Sequence, residues 1–527
     1  MLITNLALWY SPDEVELYLV DFKKGVEFKT YVTHALPHAR VIAVESEREF
    51  GLSVLRKLDA ELTRRGQLFR EAGAQDVAGF RKTLKPGDPS LPRLLLVVDE
   101  FQEFFVEDDK LAQEAALLMD RIVRQGRAFG MHVVLGSQTL GGAYSIARST
   151  LGQMAVRIAL QCSEADSYLI MSEDNSAARL LNRPGEAIYN DMSGRIEGNS
   201  LFQVVWLPEA KRETHLGKLE SCRPPSGSAP SPAIVFEGNI PADLARNAAL
   251  AAQLARSEPA SAVPTVWLGE PISIKEPTSA VFRRQSGSNL LVVGQQEDAA
   301  ATLLMSSVLS LAAFAARAGP GGGGGVGPKL VVLDSTPADL PHALHLESVT
   351  RKWPGVARFA RSRDLPEAIA DLSRELALRE QAEHVTAPLF VVVSGLHRFR
   401  DLRKSDDFSF SSDESAQTTA QQFAHLLREG PPVGMHTLIW CDTAANIDRT
   451  FERNTLREFD CRVLFQMSAA DSTHLIDAPT ASTLGRHRAL LHSEETGITE
   501  KFRLYAPPEP RWLAAAWDAV ASSAAQG

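Results

Sequence analysis

Cysteine is scarce in this chain. Cys162, Cys222, Cys441 and Cys461 are the four among 527 residues, and no two stand in a CxxC spacing. That usage predicts a reducing, cytosolic setting and no structural zinc. Charge of one sign is also weak: a formal net charge of −10 gives no overall pull toward nucleic acid. Any such contact must come from a local basic surface. The apolar start, residues 1–10, lacks a basic leader region and a small-residue cleavage site, which excludes a signal peptide. Only one run is long and apolar enough to invite a membrane reading, AAATLLMSSVLSLAAFAA at 299–316. Its Ser/Thr content and its alanine in place of leucine predict a buried helix instead. The chain also has no copy of GxxxxGK[ST], the backbone cradle for phosphates.

What is present is an ordinary globular composition, 44% hydrophobic and 23% charged, over a length that supports two or three domains with proper cores. The stretch that organises the rest is Leu94-Leu95-Leu96-Val97-Val98-Asp99-Glu100. Five apolar residues in a row after Pro92 and Arg93 predict a strand buried on both faces, as in a parallel sheet. Two carboxylates at its C-terminal end stand where open α/β sheets place their ligands. In a nucleotide-hydrolysing motor this is the Walker B arrangement, in which Asp99 would hold Mg²⁺ and Glu100 would polarise an attacking water; the alternative is a buried strand capped by an acidic turn.

Around it, residues 13–21 predict a strand ending in Asp21, and Val41-Ile42-Ala43-Val44 a short buried one. Residues 47–72 carry Leu52, Leu55, Leu58 and Leu62 on one helical face. A second amphipathic helix over 111–128 runs into Gly126-Arg127-Ala128-Phe129-Gly130. Buried strands follow at 131–136, closing on Ser137-Gln138-Thr139, and at 156–161. Strands alternating with helices predict a doubly wound parallel sheet.

The second half repeats the first. Arg157-Ile158-Ala159-Leu160-Gln161-Cys162-Ser163 through Asp166-Ser167 aligns with Arg462-Val463-Leu464-Phe465-Gln466-Met467-Ser468 through Asp471-Ser472, and Gly130-Met131-His132 with Gly434-Met435-His436. The predicted division is 1–210 for the first domain, 211–264 for a Pro/Ser/Ala-rich connector with a helix near 241–256, 265–508 for the second domain, and 509–527 for a C-terminal helix and tail. The glycine run at 319–327 reads as a flexible insert. In the second copy the chemistry is gone. Strand Asn289-Leu290-Leu291-Val292-Val293 leads to Gly294, but Ala300 and Ala301 stand where the lysine and hydroxyl of a P-loop belong, and Pro388-Leu389-Phe390-Val391-Val392-Val393 ends in Ser394-Gly395. In the first copy the phosphate loop is expected one strand and one helix before Asp21, upstream of Met1.

These residues resemble the FtsK/SpoIIIE family of hexameric motor ATPases. The resemblance is carried by Leu17-Tyr18-Leu19-Val20-Asp21-Phe22-Lys23-Lys24-Gly25, Leu36-Pro37-His38, Leu95-Leu96-Val97-Val98-Asp99-Glu100-Phe101, Gly126-Arg127-Ala128-Phe129-Gly130-Met131-His132, Leu135-Gly136-Ser137-Gln138, Arg157-Ile158-Ala159 and Asp166-Ser167. It covers 1–207 well and the second half more weakly. It implies an α/β fold of two tandem RecA-like P-loop NTPase domains, mostly parallel sheets flanked by helices, using ATP and Mg²⁺ in a homo-oligomeric ring. Asp99 takes the Mg²⁺-associated position and Glu100 that of the catalytic base. Arg127 stands where the family presents an arginine to a neighbouring subunit's nucleotide, and Gln138 where a polar sensor feels the γ-phosphate. Arg157 is expected to be structural or interfacial, because Arg462 repeats it in the degenerate copy. Asp21 has a counterpart in Asp334, without an assigned role. Two substrates are open. A double-stranded DNA translocase ranks first, with pore candidates at 80–85 and 141–150, including Arg148. A type VII secretion-like motor for protein substrates comes next, and a non-catalytic ring scaffold last.

Overall fold

The computed structural model describes residues 1–23, 27–140, 147–221, 233–255, 263–318, 329–340, 345–352, 357–383, 386–404 and 417–525. Lys24 and Gly25, the 141–146 part of the candidate pore loop together with the Arg148 side chain, the Pro/Ser stretch 224–232 and the glycine run 319–327 lie outside the described residues. The chain divides into two units, Met1–Asn239 and Ile240–Gly527.

In the first unit the strands are β1 (Val15–Asp21), β2 (Ala39–Val44), β3 (Arg93–Asp99), β4 (Met131–Leu135), β5 (Arg157–Leu160), β6 (Glu186–Asn190), β7 (Asn199–Gln203) and β8 (Ile234–Glu237). Five of them form a parallel sheet in the order β4-β3-β1-β2-β8. Leu17, Leu19, Val41 and Ala43 are fully buried, as both-face coverage demands. The helix Arg48–Glu71 packs its predicted face, Leu52, Leu55, Leu58 and Leu62, inward. The helix that the sequence extends to 128 ends at Gln125, because Gly126 allows a close turn into β4. The 211–264 stretch, read as a connector, supplies most of the helix Glu209–Ser221 and the edge strand β8 to this unit.

The second unit contains β9 (Thr265–Pro271), β10 (Thr278–Val281), β11 (Leu290–Val293), β12 (Lys329–Asp334), β13 (Ala357–Ala360), β14 (Leu389–Ser394), β15 (Met435–Cys441), β16 (Cys461–Leu464), β17 (Arg488–Ser493) and β18 (Thr499–Leu504). They form one sheet in the order β10-β9-β18-β17-β16-β11-β15-β14-β12-β13. The run from β16 to β13 is parallel and the remainder antiparallel. The apolar helix Glu297–Ala318 lies in the core, and 89% of its most apolar window is buried. Ser307 and Ser310 satisfy their hydroxyls on the carbonyls of Leu303 and Ser306, one turn back, so burial costs no unpaired donor. The helix Pro510–Ala525 adds Ala516, Trp517 and Val520 to the same core.

The repeat holds at the level of single contacts. Arg65 donates to Glu61, Phe129 O and Pro92 O; Arg379 donates to Glu375, Val433 O and Ala387 O. Ser163 and Asp166 cap one helix with the same 2.7 and 3.1 Å pair that Ser468 and Asp471 use in the other. A Cβ on Gly126 would lie 2.4 Å from Ile122 O and 2.8 Å from Met131 O; on Gly430 the values are 2.4 Å from Leu426 O and 2.8 Å from Met435 O. Backbone cannot yield as a side chain does, so Gly430→Ala is expected to destabilise the second unit by about 1–3 kcal/mol, the cost of forced overpacking. Chemical denaturation of the variant checks this; unchanged stability would mean that the turn has slack.

One expectation fails. The composition of 156–161 predicts another buried strand of the parallel sheet, yet β5 sits in a separate antiparallel sheet, β5-β6-β7, with Ile158 52% and Leu160 53% exposed. The cause is visible in the second unit, where β11 pairs with β15 on one side and β16 on the other. Among the described residues of the first unit no strand joins β4 to β5. The β4 edge is half-exposed where all of β15 is buried.

Candidate functional site

The parallel register sets Asp21 at the end of β1 beside Asp99 at the end of β3. Glu100 follows in the left-handed region, φ 54°, and its counterpart in the second unit is Gly395, φ 77°. A glutamate held where glycine is at ease stores roughly 1–3 kcal/mol of strain, a common mark of a working site. Room for the Asp99 carboxylate is kept by Gly136, whose added Cβ would stand 2.8 Å from Asp99 Oδ1.

Glu100 is buried, with Lys23 Nζ 3.0 Å from Oε1 and the Gln102 amide donating to Oε2. Ser137 Oγ in turn donates to Gln102 Oε1 at 2.7 Å. Burial pushes the Glu100 carboxyl up, but the hydrogen bonds from Gln102, Lys23 and the Gln138 backbone outweigh it and hold the group below its ordinary range. It is therefore ionised, as a base must be. The exposed Gln138 side chain accepts from Lys23 Nζ at 3.5 Å. Asp99, Glu100 and Gln138 thus gather at one place. Lys23, Gln102 and Ser137 complete the group, and the sequence alone did not single them out for it. The only signal was their adjacency to Asp21, Glu100 and Gln138.

Asp21 is the other addition. Its Oδ1 accepts from the Lys23 backbone N–H, while Oδ2 is buried with no hydrogen-bond partner among the described residues. Desolvation, reinforced by the charges of Asp99 and Glu100, raises its pKa from 3.8 to about 6. Burial also raises Asp99. Paired acids with an orphaned buried oxygen fit a divalent cation such as Mg²⁺, held by Asp99 with Asp21 beside it. Between pH 4 and 6 folded Asp21 binds more protons than unfolded Asp21, so this group's contribution to stability is full in acid and is lost as pH rises through about 6. The penalty above that pH is about 3 kcal/mol at most. Asp21→Asn should recover about 1–2 kcal/mol of it at pH 8 and little at pH 4, because the new amide still lacks one partner. Thermal melts at both pH values test this, and a destabilised variant at pH 8 would contradict it.

Arg127 is not part of this group. It is exposed and precedes β4, at the N-terminal end of strands whose C-terminal ends carry Asp99. It lies just past the C-terminus of the helix Lys110–Gln125, so a catalytic role would have to be exerted on a neighbouring subunit. Arg157 donates to Leu151 O, Met154 O and Ile170 O, as Arg462 does to Leu456 O, Phe459 O and Leu475 O. The candidate pore residues at 80–85 are partly committed to packing: Phe80 stacks on Phe69 at 5.0 Å, and Arg81 donates to Leu91 O at 2.9 Å.

The second unit replaces all four assigned residues. By the repeat, Ser394 stands for Asp99, Gly395 for Glu100, Pro431 for Arg127 and Asp442 for Gln138. Asp334, the counterpart of Asp21, has Arg361 3.5 Å away and accepts from Thr336. Arg398 makes a bidentate pair with Glu297, 2.9 Å on both arms, at the start of the helix where a phosphate would otherwise dock.

An acid pair on the C-terminal edge of a parallel sheet, with a polar side chain on the next strand, is the arrangement of an α/β unit of the RecA-like P-loop fold class. Residues 1–141 match the model of the FtsK/SpoIIIE family. It is 29% identical over 214 residues to the ESX-5 secretion system protein EccC5 of Mycobacterium marinum, a stretch that is 39% of this chain and 14% of that one. It is 28% identical over 144 residues to the DNA translocase FtsK of Staphylococcus aureus, 26% of this chain and 17% of that one. The match therefore spans a small part of each curated relative. The cytoplasmic domain of the Thermomonospora curvata type VII secretion ATPase EccC shares the fold over 99% of this chain and 61% of its own, with a TM-score of 0.62 at 17% identity.

Proposed function

We propose that the first unit is the hydrolytic half of an ATP-driven motor of the type VII secretion kind, working on protein substrates, and that the second unit is a non-hydrolytic partner. The observation that carries this is the division of labour within the repeat. The second unit keeps the buried arginines, caps and glycine turns of the first and loses Asp99, Glu100, Arg127 and Gln138 together. The similarity to secretion-system relatives extends over 39% of this chain, against 26% for the DNA translocase. This reverses the order of substrates expected from the sequence.

Catalysis needs a phosphate cradle, and the first unit has a place for one. A strand, P-loop and helix inserted between β4 and β5 would cover the exposed Ile158 and Leu160 and occupy the position that β11 holds in the second unit. An apolar groove of about 350 Å³, lined by Leu2, Leu6, Tyr10, Val15, Leu95 and Val134, opens beside the same edge. In the completed unit Asp99, with Asp21, would hold Mg²⁺, which screens phosphate charge. Glu100 would accept a proton from the attacking water, with Lys23 and Gln102 keeping its carboxylate aligned, and Gln138 would contact the terminal phosphate. Arg127 would serve the adjacent subunit of a homo-oligomeric, hexameric ring.

The test uses the chain with such a segment joined ahead of Met1. ATP turnover should rise with a secretion-signal peptide and not with linear duplex DNA. Stimulation by duplex DNA alone would return the DNA-translocase reading.

A further inference from the structure

The residues of the second unit that stand in for the sensor group are all metal-ligand types. The repeat equates Gln102 with His397, Ser137 with Cys441 and Gln138 with Asp442. His397 follows β14, while Cys441 ends β15 and Asp442 continues it, so all three lie at the ligand-binding end of the parallel sheet. Their donor atoms lie within 4.8 Å of one another. His397 Nδ1 is 3.5 Å from Asp442 Oδ1, and Cys441 Sγ is 3.7 Å from the same oxygen.

We propose that His397, Cys441 and Asp442 bind a zinc ion. Tetrahedral zinc, with bonds of about 2.0–2.1 Å to nitrogen and oxygen and 2.3 Å to sulfur, sets its ligands roughly 3.3–3.6 Å apart. The two distances to Asp442 are already near that spacing. Nδ1 of His397 is buried and makes no hydrogen bond among the described residues, although the Asp442 carboxylate faces it at 3.5 Å. The outer contacts are those a metal site needs. Asn446 Nδ2 at 2.8 Å and Thr443 Oγ1 at 3.2 Å both donate to Asp442 Oδ1, and the His397 ring packs edge-on against Trp440 at 5.4 Å. A thiol, an imidazole and one carboxylate select a borderline-soft cation over Mg²⁺ or Ca²⁺. Loading releases the Cys441 proton to solvent, and water completes the four ligands. The ion would tie the loop after β14 to β15, at the positions where the first unit places its hydrogen-bonded sensor.

Scattered cysteines give no hint of this, because a CxxC pair is the usual sequence mark of zinc and the folded site uses a single cysteine. The test is titration of the chelator-treated chain with Co²⁺ alone, then with Zn²⁺. One Co²⁺ per chain should bind with tetrahedral d–d absorption and a thiolate-to-cobalt charge-transfer band, and Zn²⁺ should erase both. Cys441→Ser should abolish the charge-transfer band. His397→Ala and Asp442→Asn should weaken binding at least about 10-fold, in line with the loss expected even for outer-shell changes. Should Cys441→Ser fail to fold, the variants at the less buried His397 and Asp442, checked by circular dichroism, carry the test. Absence of the charge-transfer band in the parent chain, or its persistence at full strength in folded variants, overturns the proposal.

Discussion

Glu100→Gln, in the chain completed with a strand–P-loop–helix segment, is expected to lower ATP turnover by roughly 10²–10⁴-fold, the range for removing a positioned general base. Nucleotide affinity should survive. The amide is nearly isosteric, its oxygen still accepts from Gln102 or Lys23, and the residue keeps its left-handed backbone, φ 54°. What is lost is the ionised oxygen that two side-chain donors hold in the charged form. Phosphate release and equilibrium binding of a fluorescent ATP analogue, measured on the same preparation, separate the two effects. Turnover within about 3-fold of the parent, short of the range for a general base, would remove Glu100 from the base role.

Arg462→Met should destabilise the second unit by about 3–5 kcal/mol, as expected when a buried charged donor is taken from its partners. Arg462 is 6% exposed, and its guanidinium serves three carbonyls, Phe459 O at 3.2 Å, Leu475 O at 2.7 Å and Leu456 O at 2.9 Å, and pairs with the Glu494 carboxylate at 3.0 Å. Methionine fills the volume of the stem but leaves those oxygens without a donor. At about 2–4 °C per kcal/mol for a large domain, the melting temperature of this unit should fall by roughly 10 °C. Arg157→Met should cost less, because Arg157 is only half-buried in a sheet with an open edge. Equal losses in the two units would mean that β5 is as well covered as β16.

The repeat makes much of the fold readable. A residue kept in a copy that has lost its carboxylates has structural work to do, and Arg157, through Arg462, is assigned that way from letters alone. The strands ending in Asp21 and Asp99 are equally plain, since in an α/β chain an apolar run stopping at an acid is a core strand carrying that acid to the edge of the sheet. Failures arise where a residue's meaning depends on its neighbours in space. Val156 to Gln161 has the composition of a central strand, and its copy is one; among the described residues no strand flanks β5 as β11 flanks β16, and Ile158 is exposed. β8 is four residues, Ile234-Val235-Phe236-Glu237, behind a Pro/Ser-rich stretch that marks a loop. Lys23 and Gln102 look like loop residues until folding turns both onto Glu100. Arg127 carries a family signature, but a sequence cannot say which end of the sheet it occupies.

The most direct test of the division between the two units is phosphate release by the completed chain, in parallel with stoichiometric ATP binding. The account predicts one tightly bound, hydrolysed nucleotide per chain, with turnover lost on Glu100→Gln and unchanged by Arg398→Ala in the second unit. Two nucleotides hydrolysed per chain, or tight binding in the first unit with no turnover, would contradict it.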